Sequence, residues 1–352
     1  MEGYSEKIKS VINQLENNGQ TVYFLVQDTK GNAKASIKYQ YNMAKTLYDN
    51  GFNVCILHEE EKYHGVGSWT NEDFDDIKHM SITDSNLKIS PEDFIIVPEV
   101  FGYVVEQLEN LPCEKVILCQ SYDYMFETLK PGVTWNQLGF NKVITTSELQ
   151  KEYVSSVMKK NAYAIIEPLI DEVFTKKNLP SKPVISILTR DQRDTMKIIK
   201  TFYIKYPQFR WITFRDMRGL SEKEFSDNLK ESFVSVWIDD ISSFGTYPLE
   251  SMSCGTPVIG KVPNMKPEWL NEDNGIWTYE TNKMVDIIYE YTQNWLEDNI
   301  SDELYTKGFE TSSKFKDSEK FKSETLNLFN TLVRSRKEMF NDKLSEIKIE
   351  NE

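Results

Sequence analysis

Cysteine and histidine are scarce: the 352-residue chain holds 4 of the first and 3 of the second. Cys55, Cys113, Cys119 and Cys254 form no Cys-x-x-Cys pair and no dense framework. They read as buried reduced thiols rather than disulfide partners. With only His58, His64 and His79 beside them, a structural zinc site is not expected, and no residue is assigned to a metal. Long apolar runs are missing too, since nothing approaches the roughly 18 to 20 residues a membrane-spanning helix needs. The start, Met1 to Lys7, lacks a basic segment followed by an apolar core, which argues against a secretory signal and for the cytoplasm. Positive charge is short as well: 41 Lys and Arg face 55 Asp and Glu, a formal net charge of −14. Such a surface repels nucleic-acid backbones and anionic lipids unless a local basic patch overrides it. No Gly-x-x-x-x-Gly-Lys loop is present.

What is present is ordinary globular composition, 39% hydrophobic and 27% charged, on a length that suggests about two domains. Strand-like and helix-like stretches alternate. Residues 21–26 form a short apolar β-rich run, Ile37 to Asn50 has helical spacing stopped by Asn50-Gly51, and 52–57 reads as a second strand. This is a βαβ unit. Further strands are expected at 93–97, 115–119 and 142–146, with Ser147 capping a helix from about Glu148 to Lys160. The polar stretch 59–90 is expected to be a long loop with short elements. Past Pro168, Pro180 and Pro183 the alternation restarts, with strands at 184–188, 209–214 and 234–238 and helices at 195–206 and 222–231. A helical tail from about Ser318 to Ile347 carries Phe321, Leu326, Phe329, Leu332 and Val333 on one face.

The pattern predicts two doubly wound α/β domains facing a cleft. An N-terminal Rossmann-like domain covers 1–167, a linker 168–183, a second Rossmann-like domain 184–317 and a helical tail 318–352. In such sheets ligands sit at the carboxyl ends of the strands, so both domains can aim those ends at one gap.

The chemistry concentrates between Trp237 and Gly260. A strand ends at Ile238, a turn-rich loop follows, and Gly245 permits close backbone approach. Pro248 suits the first turn of a helix that Gly255 and Pro257 stop within about two turns. The N–H groups and dipole of this short helix favour an anion, most simply a phosphate. Glu250 lies just inside the helix, and a carboxylate accepts two parallel hydrogen bonds, which suits the vicinal diol of a ribose. A nucleotide diphosphate sugar offers both groups.

The run Phe244-Gly245-Thr246-Tyr247-Pro248-Leu249-Glu250-Ser251-Met252-Ser253-Cys254-Gly255-Thr256-Pro257-Val258-Ile259 resembles the donor-site signature of retaining GT-B glycosyltransferases, in particular glycosyltransferase family 4. Weaker correspondences extend along most of the chain: Leu188-Thr189-Arg190, Ile166 to Phe174 with Asp171, Glu99, and Val116 to Gln120. The overall pattern is similar to glycosyltransferases found in phage genomes, for which the compartment would be the host cytoplasm. The resemblance implies a GT-B fold whose last helix crosses back to the first domain, and transfer of a sugar from a nucleotide diphosphate sugar, with a uridine diphosphate sugar favoured. It also implies retention, a hydroxyl acceptor that is a saccharide or a modified DNA base, and neither metal nor other cofactor. Glu250, Arg190 and Arg193 would be catalytic. Ser242, Phe244, Gly245, Thr246 and Tyr247 would join Glu250 around the donor, and Gly31, Asn32, Glu99, Gln120 and Asp123 would line the acceptor side.

Some positions depart from the family's pattern. Its first Glu, eight residues before Glu250, is Ser242 here, with Asp239 and Asp240 nearby but out of register. The glycine before the Arg is Thr189, and the basic residue about five positions on falls on Thr195. Trp211, Trp237 and Phe244 read as core aromatics. Two other functions compete: a transferase acting on hydroxymethylpyrimidine bases in DNA, and a non-catalytic nucleotide- or sugar-binding protein on the same scaffold, the latter motivated by Ser242.

Overall fold

The computed structural model describes residues 20–59, 62–70, 73–159, 164–176 and 181–349. Met1 to Lys7, Lys160 and Pro180 lie outside the described residues. The first half runs β1 (Thr21–Leu25), α1 (Ala35–Asp49), β2 (Asn53–His58), β3 (Lys78–Ser81), β4 (Phe94–Pro98), α2 (Gly102–Gln107), β5 (Glu114–Cys119), α3 (Tyr124–Thr128), β6 (Lys142–Thr145), α4 (Glu148–Met158) and β7 (Ala164–Ile165). The second runs β8 (Lys182–Thr189), α5 (Gln192–Lys205), β9 (Thr213–Asp216), α6 (Glu222–Glu231), β10 (Ser232–Ile238), α7 (Thr246–Ser253), β11 (Val258–Lys261), β12 (Ile276–Thr278), α8 (Met284–Leu296), α9 (Asp302–Ser313) and α10 (Ser318–Ile349).

Two parallel sheets result. Seven strands pair in the order β3-β2-β1-β4-β5-β6-β7, and five in the order β12-β11-β10-β8-β9. Central strands such as Phe94–Pro98 and Ser232–Ile238 are buried at every position, as expected when helices cover both faces. Each sheet has one point where successive connections leave in opposite directions: between β1 and β4 in the first, between β8 and β10 in the second. The crevice at such a point is where α/β sheets bind ligands.

Local chemistry fixes the helix starts. Ser147 accepts the Gln150 N–H at 3.2 Å, and Ser221 and Glu224 form a reciprocal capping box. The last helix returns to the first sheet: Phe321, Phe329 and Leu332 of the expected face sit in one core with Ile37, Tyr41 and Leu47 of α1, joined by Leu328, while the expected Leu326 and Val333 are only partly buried against it.

Two expectations differ from the structure. The strand placed at 209–214 starts at Thr213, because Pro207–Phe209 makes a turn of 3-10 helix that buries Phe209 first. That turn leaves Trp211 outside the core, 50% exposed. Within 59–90, where a loop with short elements is expected, Lys78–Ser81 is such an element: it pairs with β2 as an edge strand whose residues are exposed or half-buried. The segment read as linker is packed where it is described: Ile170 and Phe174 are buried in the second sheet's core, and the Ile170 N–H reaches the Phe315 carbonyl at 2.8 Å.

Candidate functional site

Both switch points open onto one cleft of about 430 Å³. Gln27 and Glu99 line it from the β1 and β4 ends, with Gln120 from the end of β5, and Arg190 and Asp239 line it from the β8 and β10 ends. Ser242, Phe244, Gly245 and Thr246 line it from the loop into α7. A second cavity of about 460 Å³ adjoins at Thr246 and is bounded by Tyr247 and Glu250 of α7, the 217–220 turn, Glu222, Asp171, and Lys38 and Trp69 of the first lobe.

Gly245 is required twice over. Its φ of 76° and ψ of 72° lie in the left-handed region. A Cβ there would stand 3.0 Å from the Trp237 ring, so the ring would have to give by a few tenths of an ångström. This tight entry lets α7 begin abruptly, so the partnerless first-turn N–H groups that every helix has fall beside the cleft.

The cavity walls place the other donor candidates. Phe244 is buried against Phe315 at 5.2 Å, and its carbonyl accepts from Trp269 Nε1 at 2.6 Å, which fixes the loop. The Tyr247 hydroxyl accepts from Ser235 Oγ at 2.9 Å, so its ring rather than its hydroxyl is offered to the second cavity. Glu250 lines that cavity, its carboxyl pushed up to about 8 by burial and then by the carboxylates Glu222 and Asp171, while Lys38 pulls it down.

Arg190 faces the cleft but is engaged. It forks onto Asp239 with bonds of 2.6 and 2.9 Å, and its third group reaches Tyr124 Oη of the first lobe at 2.7 Å. Of the two acids near Ser242, Asp239 lines the cleft, whereas Asp240 is paired with Lys261 at 2.6 Å. Arg193 is not brought to the site. Its side chain is 91% exposed and folds onto Asp191 at 2.5 Å, because Asp191 caps the start of α5 and holds the neighbouring guanidinium there.

On the first lobe, Glu99 is buried at the end of β4 and accepts the Ser121 N–H at 2.7 Å. Burial pushes its carboxyl up to about 7 despite backbone hydrogen bonds that favour the charged form. Gln120 and Glu99 reach the cleft; Gly31 and Asp123 do not. Gly31 supplies a left-handed turn (φ 79°), and Asp123 occupies the position before α3. Asn32 faces the second cavity and a third one of about 390 Å³ walled by Asp28, Lys30, Lys34 and Glu59.

Sequence reasoning missed the residues that join the lobes. Lys38 Nζ lies 3.1 Å from both Glu222 and Asp171 and donates to Thr70 Oγ1 at 2.7 Å. The Glu222 N–H donates to the Trp69 carbonyl at 2.7 Å, Ser121 Oγ to Ile241 O at 3.1 Å and Tyr122 N to Ser243 Oγ at 3.2 Å. The only sequence signal was Asp171, which lay within a correspondence already noted. Among the described residues, no group of three or more His, Cys, Asp or Glu side chains could hold a metal ion. No described helix is long and apolar enough to cross a membrane.

No protein-family model and no curated protein matches this sequence. Solved structures do match. Sucrose-phosphate synthase from Thermosynechococcus elongatus aligns over 90% of this chain and 100% of its own, with a TM-score of 0.63 and 13% identity. HepE from Anabaena, solved with UDP-glucose, aligns over 88% of this chain and 99% of its own, with a TM-score of 0.62 and 12% identity. An alpha-glucosyltransferase solved with UDP and a 13-mer DNA containing an HMU base gives the same coverage, a TM-score of 0.60 and 12% identity. The fold is GT-B, the architecture of these glycosyltransferases.

Proposed function

We propose that the protein is a metal-independent glycosyltransferase that moves a sugar from a uridine diphosphate sugar to a hydroxyl acceptor, with retention at the anomeric carbon, in the cytoplasm. One observation carries this reading: the switch points of both sheets open onto a single cleft, and the cavity holding Glu250 joins that cleft at the N-terminus of α7. A diphosphate at that junction meets the free first-turn N–H groups and the Arg190 guanidinium, which take up the negative charge that develops as the sugar leaves. The ribose falls to Glu250 and the base to the 217–220 turn. Two of the fold's neighbours were solved with UDP or UDP-glucose, which supports uridine as the base.

The acceptor hydroxyl enters from the first lobe beside Glu99 and Gln120. The departing phosphate takes its proton, so no histidine base is needed. Closure of the lobes keeps water from competing for the donor. A saccharide acceptor fits better than DNA. The third cavity balances Lys30 and Lys34 against Asp28 and Glu59, and the chain's net charge is −14. A polar, charge-balanced wall suits hydroxyls rather than phosphodiesters.

Thermal shift with uridine, guanosine and adenosine diphosphate sugars tests the site. Uridine donors should raise Tm, and Glu250→Ala should abolish the response. A wild type that ignores every nucleotide, or a variant that responds equally, overturns the reading. Turnover separates the enzyme from a protein that only binds, since tight nucleotide binding with no product would favour the latter.

A further inference from the structure

The donor cavity is walled partly by the opposite lobe. Lys38 belongs to α1 of the first lobe, yet its ammonium is buried among groups of the second lobe and the segment between the sheets. It lies 3.1 Å from Glu222 Oε1 of α6 and 3.1 Å from Asp171 Oδ2, and Thr70 Oγ1 bridges it to Glu222 with bonds of 2.7 and 3.0 Å. All of these side chains except Thr70 line the cavity that Glu250 faces. Three carboxylates therefore share one wall with this ammonium. The other cations on the cavity are Arg218, committed to Asp216 at 2.5 Å, and Lys34 at its mouth on the cleft side. Along its own helix Glu250 has Tyr247 and, at the C-terminal end, the buried Cys254 thiol as titratable neighbours.

We infer that Lys38 is a positioning residue of the donor site: delivered by the first lobe, it acts through Glu250 and couples the hold on the nucleotide sugar to closure of the lobes. The inference rests on the donor reading given above. Glu250 grips a ribose diol as a carboxylate, accepting from both hydroxyls. Burial, Glu222 and Asp171 oppose that charge, and Lys38 favours it. Donor binding then releases one proton from Glu250. Opening the lobes would withdraw the ammonium and leave Glu250 with carboxylates for neighbours, so the diol loses its acceptor when the site opens.

The test is calorimetric binding of UDP-glucose between pH 6 and 9. This donor's diphosphate is a diester and does not titrate in that range. Wild-type affinity should rise about tenfold per pH unit and level off above the Glu250 midpoint. Lys38→Met should move the midpoint up by about one unit or more, and Glu222→Gln should move it down, since one removes a cation and the other a carboxylate. Lys38→Arg should keep the wild-type midpoint, and Glu250→Gln should bind weakly without pH dependence. A merely structural role for Lys38 would weaken binding without moving the midpoint. Flat wild-type affinity, or Lys38→Met and Glu222→Gln midpoints unchanged or shifted the same way, overturns the inference while leaving the donor site intact. If Lys38→Met does not fold, the wild-type slope and the direction of the Glu222→Gln shift still decide. Wild type that binds no UDP-glucose at any pH overturns the donor reading itself, and this inference with it.

Discussion

The two lobes share a plan and differ in chemistry. Each is a parallel sheet whose switch point opens on the same cleft. On the second lobe that point carries a guanidinium, a left-handed glycine and the start of a helix, the fittings for a diphosphate. On the first it carries amides and the buried carboxyl of Glu99, fittings for hydroxyl groups. Under the proposed function, two lobes of one plan would receive opposite ends of one reaction, and the discrimination would lie in a few residues at strand ends rather than in the fold.

The largest effect should come from asking which lobe owns the tail. Phe329→Ala empties a fully buried site in the first lobe's core and should cost about 3–5 kcal/mol, read by chemical denaturation. If the loss tracks the second lobe instead, as reported by its Trp237 and Trp277 fluorescence, the tail has been assigned wrongly. Next is Glu99, raised from the ordinary 4.5 to about 7 by burial. The folded state keeps a proton that the unfolded chain releases, so stability is full below about pH 4.5 and falls as pH climbs toward 7. The loss is roughly 3 kcal/mol at most. Glu99→Gln should flatten that part of the pH–stability curve, and it should slow turnover without changing UDP binding. Unchanged turnover would erase the acceptor character assigned to the first lobe.

Gly245→Ala should cost about 1–2 kcal/mol through its left-handed backbone, and it should weaken UDP binding by pushing the loop off Trp237. Arg190→Ala should lower turnover more than it lowers UDP affinity, because developing charge is what a guanidinium at this place meets. Arg193→Ala, in the first turn of the helix that follows, should change neither and should leave stability essentially unaltered, since its ion pair is exposed. Equal effects of the two arginine variants would count against the cleft position of Arg190.

What the sequence revealed follows the same divide. The 244–259 run was legible because its constraints are local: a strand end, a glycine, a proline in the first turn and a glycine stop lie within one short stretch. The first lobe's contribution was legible only as strand ends. Helix α1 shows why. Ile37, Tyr41, Ala44 and Leu47 gave its apolar face, but Lys38, Gln40 and Asn42 are buried too, because that helix is also covered by α10 and the second lobe. No periodicity could assign Lys38 to a cavity whose carboxylate walls, Asp171, Glu222 and Glu250, lie more than 100 positions downstream. Trp211 failed for a similar reason, since hydrophobicity alone cannot say which aromatic of the 209–214 run a turn will expose. Arg193 was misplaced because the competing local partner, an Asp two residues earlier, wins over a distant anion.

The return of α10 to the first sheet has a consequence for synthesis. Phe321 to Leu332 complete a hydrophobic face opened by β1 some 300 residues earlier. At translation rates of about 5–20 residues per second, the ribosome delivers that closing piece roughly 15–60 s after the first strand emerges. Until then the nascent lobe shows the bare side of α1 to its surroundings, so chaperone capture during this window should be felt by the half of the chain that is made first.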